Sequence, residues 1–135
     1  MRLPWRAVFA RRNLLRLLLC WQGLYYGVTG IWALADLAGF SRATKNTGDA
    51  LDMHSIAALA LVLGIAFIWG ALREKQTLFA GWLLVGSCVA VLLPEAVHFS
   101  DVRGTLFFLD FVEEIAVALV ALYTLTRWRN PDRIN

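Results

Sequence analysis

The chain has 135 residues, of which 59% are hydrophobic and 17% charged, with a positive mean hydropathy and a formal net charge of +3. That apolar fraction exceeds what a soluble domain of this length can hide, so the composition points to an integral membrane protein. It excludes a soluble catalytic or nucleic-acid-binding domain within these residues, and it makes the basic balance a matter of membrane orientation rather than of a nucleic-acid partner.

At the N-terminal end, Trp5, Val8 and Phe9 alternate with Arg2, Arg6 and Arg12. This pattern predicts a short interfacial helix over about 2–12, lying on the cytoplasmic leaflet. Arg11-Arg12-Asn13-Leu14-Leu15 resembles a twin-arginine export signal, and Ala33-Leu34-Ala35 resembles a signal-peptidase site. A signal core runs about 7 to 15 residues, whereas this apolar run is about 19 long and three more follow it, which favours a retained first helix.

Three uncharged stretches, Leu17 to Ala35, Ser55 to Leu72 and Thr77 to Pro94, are long enough to cross about 30 Å of hydrocarbon at roughly 1.5 Å per residue. With a fourth from Thr105 to Thr126, they predict spans at about 14–37, 54–72, 77–95 and 105–127. The expected fold is therefore all-α: a four-transmembrane-helix bundle with a short N-terminal interfacial helix, forming one membrane domain over 1–135.

Within the first span, Gln22, Tyr25, Tyr26, Thr29 and, two turns on, Asp36 recur at helical spacing and make a polar stripe. Gly23, Gly27 and Gly30 run beside it, and Gly23 and Gly27 match the small-residue motif that lets two helix backbones approach closely. Cys20 and Cys88 fall inside different spans with no second cysteine at CxxC spacing, so neither a disulfide nor thiol-redox chemistry is expected.

The third span ends in Pro94-Glu95-Ala96-Val97-His98. Proline has no amide for the Ala90 carbonyl, which predicts a free acceptor and a kink beside Glu95. Glu95 and His98 have the Glu-x-x-His spacing that aims two metal ligands from one helix, and Glu113, Glu114 and His54 are the residues that could complete such a site. A full di-metal centre needs two such pairs and two more glutamates, so ordinary hydration at the helix end is the plainer reading, and no metal or other cofactor is predicted.

The fourth span carries the most informative feature of the chain: Asp110, Glu113 and Glu114. Each acid costs roughly 2.5 to 3.5 kcal/mol at mid-bilayer, while each large apolar residue returns about 0.3 to 0.6. Large apolar residues between Leu106 and Leu125 supply roughly 5 kcal/mol against a penalty approaching about 8. The segment needs polar partners, water access or protonation. Spacings of three and four residues put all three acids within an arc of about 100°, continued by Val117, Ala121 and Thr124, and such an arc faces the bundle interior. Three carboxylates so close are expected to hold at least one proton between them. The stripe of Gln22, Tyr25 and Tyr26 is their natural partner, and Arg42, Arg103, His54 and His98 are the cations available to pair with them.

Orientation follows from charge. Arg2, Arg6, Arg11, Arg12 and Arg16 precede the first span, Arg73 and Lys75 separate the second from the third, and Arg127, Arg129 and Arg133 follow the fourth; only Arg42, Lys45 and Arg103 lie in the other loops. The positive-inside rule then predicts cytoplasmic termini, a cell inner membrane location, and the acids in the outer half.

The runs Gly23-Leu24-Tyr25-Tyr26, Gly30-Ile31-Trp32-Ala33-Leu34, Phe40-Ser41-Arg42-Ala43-Thr44 and Thr47-Gly48, a helix opening near His54, and Leu109-Asp110-Phe111-Val112-Glu113 resemble an uncharacterised bacterial family of small four-helix membrane proteins. The likeness spans most of residues 20 to 125 and is DoxX-like in architecture; it departs at Glu95 to His98, where the family carries a less acidic segment. It implies a four-helix bundle and association with a quinone-linked oxidoreductase.

The expected function is that of an accessory or binding protein. Asp110, Glu113 and Glu114 would form the floor of an acidic pocket, and Gln22, Tyr25, Tyr26, Arg42, His54, Glu95, His98 and Arg103 its walls or rim, taking a small polar headgroup, a quinone or a segment of a membrane-protein partner or second copy. The alternative is a subunit of a quinone-linked membrane oxidoreductase that uses the acids for proton transfer or metal binding. The chain encodes no haem motif, cysteine cluster or nucleotide fingerprint, so an activity of its own is the weaker reading.

Overall fold

Residues 11–44, 49–97 and 105–128 are described by the computed structural model, and the interfacial helix expected over 2–12 falls, but for its last two positions, outside them. The chain forms α1 (Arg11–Ala35), α2 (Leu37–Thr44), α3 (Ala50–Leu72), a 3-10 turn (Glu74–Gln76), α4 (Thr77–Val97) and α5 (Thr105–Trp128). Among the described residues there is no strand. Three segments are long and apolar enough to cross a membrane: Asn13–Ala35, Ala50–Leu72 and Glu74–Pro94. α5 matches them in length at 24 residues but bears the three acids in its first half.

Helix ends follow local chemistry. α1 breaks at Asp36, whose carboxylate accepts from the Gly39 amide at 2.9 Å and so starts α2. A Cβ on Gly39 would stand 2.0 Å from Asp36 Oδ2, so glycine leaves room for the carboxylate to fold back. α2 has no counterpart among the elements that the sequence pattern predicts, because eight residues are too few to display a period. α3 opens at Ala50, upstream of the expected residue 54, because the Asp49 carboxylate caps it by accepting from the Leu51 amide at 2.8 Å. Asp49→Ala is expected to cost about 1 kcal/mol, read as a lowered thermal midpoint in detergent.

At the other end of α3 the orphan carbonyls find side-chain donors. The Thr77 hydroxyl donates to the Gly70 carbonyl at 2.9 Å, and Arg16 Nε donates to the Ala71 carbonyl at 2.6 Å. The second contact sets the start of α1 beside the end of α3. Pro94 does not terminate α4, which runs on to Val97.

The closest helix contact is between α1 and α3, which run antiparallel through glycine. A Cβ at Gly23 would lie 2.9 Å from the Gly64 carbonyl oxygen, one at Gly30 2.7 Å from that of Ala57, and one at Gly64 2.8 Å from both Gly23 O and Gly27 N. Backbone meets backbone over two turns. α5 packs on α4 and α1, and Leu15, Leu19, Tyr26, Phe67, Leu84, Cys88, Val117, Ala121 and Leu125 fill the shared core. Outward faces are as apolar as the interior: Leu24, Val28 and Ile31 on α1 and Ile56, Leu59, Val62 and Ile65 on α3 are exposed. Continuous apolar stripes of this extent suit lipid, not water.

Candidate functional site

On α1, Trp21, Gln22, Tyr25 and Tyr26 occupy two adjacent rows of one helix face; on α5, Asp110, Glu113 and Glu114 do the same. Antiparallel packing zips the two together. Tyr25 OH donates to Asp110 Oδ1. Trp21 Nε1 donates to Glu113 Oε1 at 2.8 Å, while Glu114 Oε1 accepts from Gln22 Nε2 at 2.9 Å and from Tyr26 OH at 2.8 Å. Trp21 meets Glu113 and Tyr25, one turn on, meets Asp110, the descending order that antiparallel helices require, while Gln22 and Tyr26 converge on Glu114. The four donors stand near the middle of the 25-residue α1, so the acids, about 7 to 13 Å into α5, lie level with the middle of the first span.

Burial grades across the seam. Glu114 and Gln22 are 1% and 0% exposed, whereas Trp21 is 60% exposed and covers the half-buried Glu113 from the outer face. Tyr26 leans on Tyr25 and on Phe67 of α3, each at 5.9 Å between ring centroids, which fixes its hydroxyl toward Glu114. The buried Cys88 of α4 adjoins the Glu114 carboxyl from the other side. Below the acids, Val117, Ala121 and Thr124 continue the same buried face.

Every donor that the described residues bring to these acids is neutral. Three buried oxygens are left without a hydrogen bond of good geometry: Gln22 Oε1, Glu113 Oε2 and Glu114 Oε2, the Cys88 thiol beside the Glu114 carboxyl being only a weak donor. Acceptors buried without donors are costly, and clustered carboxylates need compensating positive charge, supplied as protons or by a bound cation. Among the described residues no group of three or more His, Cys, Asp and Glu side chains is arranged to hold a metal ion.

The other expected site residues stand elsewhere. Arg42 Nε donates to the Ala38 carbonyl at 3.2 Å and His54 Nδ1 to the Ala50 carbonyl at 2.8 Å, both exposed and tied to their own helices. Thr29 bonds back to the Tyr25 carbonyl at 2.8 Å, and Asp36 is taken up by its cap. The Glu95 side chain, His98 and Arg103, and with them the Glu-x-x-His pair, lie outside the described residues. Trp21 joins the site although its row lies one position off the polar stripe and an exposed tryptophan in an apolar span reads as lipid-facing. No family model, curated protein or solved structure matches the chain.

Proposed function

We propose that the chain is a multi-pass protein of the cell inner membrane, DoxX-like in its four-span architecture, that binds a small polar ligand or partner group at the acid seam between α1 and α5. The observation that carries this reading is the set of three buried, partnerless oxygens around Glu114. Acceptors without donors at such depth call for a proton or for a group from outside the chain, and a bound group that brings donors meets that need at all three. α5 serves as the fourth span because its acids are sheltered by α1 donors rather than turned outward. Both termini are cytoplasmic and the seam opens toward the extracytoplasmic half. Support for that orientation comes from the bundle end that carries Arg16 at the start of α1, Arg73 stacked 4.9 Å over Trp69 at the end of α3, and Arg127 stacked 5.5 Å over Tyr123 at the end of α5.

The role is accessory: the chain supplies binding, with any redox chemistry residing in a partner. Protein carrying Asp110→Asn and Glu114→Gln is expected to insert at near wild-type yield yet lose whatever co-purifies with the wild type from native membranes, as read by mass spectrometry. A double variant that loses yield and keeps every bound component makes the seam structural. The second reading, proton transfer or metal binding for a quinone-linked oxidoreductase, draws on the Tyr25–Asp110 and Tyr26–Glu114 hydrogen bonds. Stoichiometric iron or manganese, or a quinone absorbance band, in protein purified without additives would favour it.

A further inference from the structure

Among the described residues, every buried side-chain nitrogen or oxygen that lacks a hydrogen-bond partner is an acceptor, and all three lie in the acid seam: Gln22 Oε1, Glu113 Oε2 and Glu114 Oε2. Two of the three belong to side chains that are 0% and 1% exposed, so water does not reach them from the surface. What the seam lacks is hydrogen-bond donors and positive charge, both in the same place.

Resting on the binding-site reading above, we infer that the ligand group is a protonated primary amine carried on an apolar body. An ammonium has three N–H donors and no acceptor, so it brings the kind of group the partnerless oxygens lack, and its charge offsets that of the acids. Tyr25, Tyr26 and Trp21 place aromatic rings beside the carboxylates, surfaces that attract a desolvated cation. The apolar body follows from the way in. On the α4 side the buried Cys88 adjoins Glu114, and the least buried member of the seam is Trp21, which shares an exposed apolar stripe with Leu17, Leu24 and Val28. A molecule arriving there comes from the acyl chains, headgroup first.

Other occupants match less well. A quinone presents carbonyl acceptors to a wall that already has too many, and its reduced form donates two hydrogen bonds but brings no charge. A quaternary ammonium carries the charge without N–H donors. A divalent metal needs several His, Cys, Asp or Glu ligands around one point, and among the described residues no group of three or more is arranged to hold one.

Calorimetry on the full chain in detergent tests the inference with three probes: phenethylammonium, its trimethylated quaternary analogue, and neutral 2-phenylethanol. Phenethylammonium is expected to bind saturably, roughly tenfold more tightly than either analogue, and to weaken by roughly tenfold or more in Glu114→Gln. Glu113→Gln, at a half-buried position that tolerates change, should weaken it in the same direction, so a folding defect at Glu114 does not shield the inference. Equal affinity for the quaternary analogue, or affinity unchanged in both variants, overturns it. Should 2-phenylethanol or a quinol bind in a Glu114-dependent way while phenethylammonium does not, the amine inference fails and the binding site stands. Should no probe depend on the acids, and the Asp110 and Glu114 double variant keep its native companions, both fall.

Discussion

Gly64→Val is expected to abolish the folded bundle, leaving aggregated protein in place of a monodisperse peak on gel filtration in detergent. A Cβ at this position would sit 2.8 Å from Gly23 O, 2.8 Å from Gly27 N and 3.1 Å from Gly27 Cα. All three are backbone atoms of α1, so no rotamer change relieves the overlap. The helices would have to move apart, breaking the close approach along α1 and α3 and, through α1, the register that aims Tyr26 and Gln22 at Glu114. Overpacking a core commonly costs about 1 to 3 kcal/mol when side chains can shift, and here they cannot. Lipid supplies no hydrophobic drive to restore the contact, since acyl chains are as apolar as leucine. Gly86→Ala is the matched control: its Cβ meets nothing within 4 Å, and replacing a helical glycine by alanine there should stabilise by about 0.5 to 1 kcal/mol. Gly27→Ala should likewise be tolerated, for its own Cβ points into open space although its backbone is what Gly64 approaches. Equal damage from Gly27→Ala and Gly64→Val would refute the packing geometry.

That contrast shows what a linear motif conveys. Gly23 and Gly27 look equivalent in sequence, yet only at Gly23 would a Cβ meet the partner backbone, and Gly64, which lies opposite both, is marked in sequence only by Ala60 at the same spacing. Register between helices decides, and register is a property of the folded bundle. The same holds at the site. Helical spacing brought Gln22, Tyr25 and Tyr26 onto one face and Asp110, Glu113 and Glu114 onto another, and the cost of acids in hydrocarbon dictated that the faces meet. Spacing also enrolled Thr29 and Asp36, which local chemistry claims instead: a threonine hydroxyl reaches its own preceding carbonyl, and an aspartate before a short helix caps it. Charge alone points Arg42 and His54 toward the acids, but each bonds a carbonyl four residues back in its own helix. Depth shifted for a similar reason: counting from Thr105 locates the acids only along α5, while the partner residues on α1 set their level in the bundle.

Glu114→Ala and Glu114→Gln are expected to part company sharply. Glu114 Oε1 is the shared acceptor for the Gln22 amide and the Tyr26 hydroxyl, inside a core that water does not enter. Alanine removes it and orphans two buried donors, each costing about 1 to 3 kcal/mol, with a cavity added between α1, α4 and α5. A loss of about 3 to 5 kcal/mol and a sharply reduced folded yield should result. Glutamine keeps an oxygen for both donors, is neutral whatever the protonation of the cluster, and offers an NH2 group in place of an oxygen without a well-placed donor. Its thermal midpoint should equal or exceed that of the wild type while ligand binding falls, the signature of a group retained for recognition at the expense of stability. Tyr26→Phe closes the cycle: coupled with Glu114→Ala it should show an interaction of about 0.5 to 3 kcal/mol, and coupled with Glu114→Gln a smaller one, because the amide oxygen still accepts from the tyrosine hydroxyl. Additive effects in both cycles would mean that the tyrosine hydroxyl and the carboxylate do not meet in the membrane.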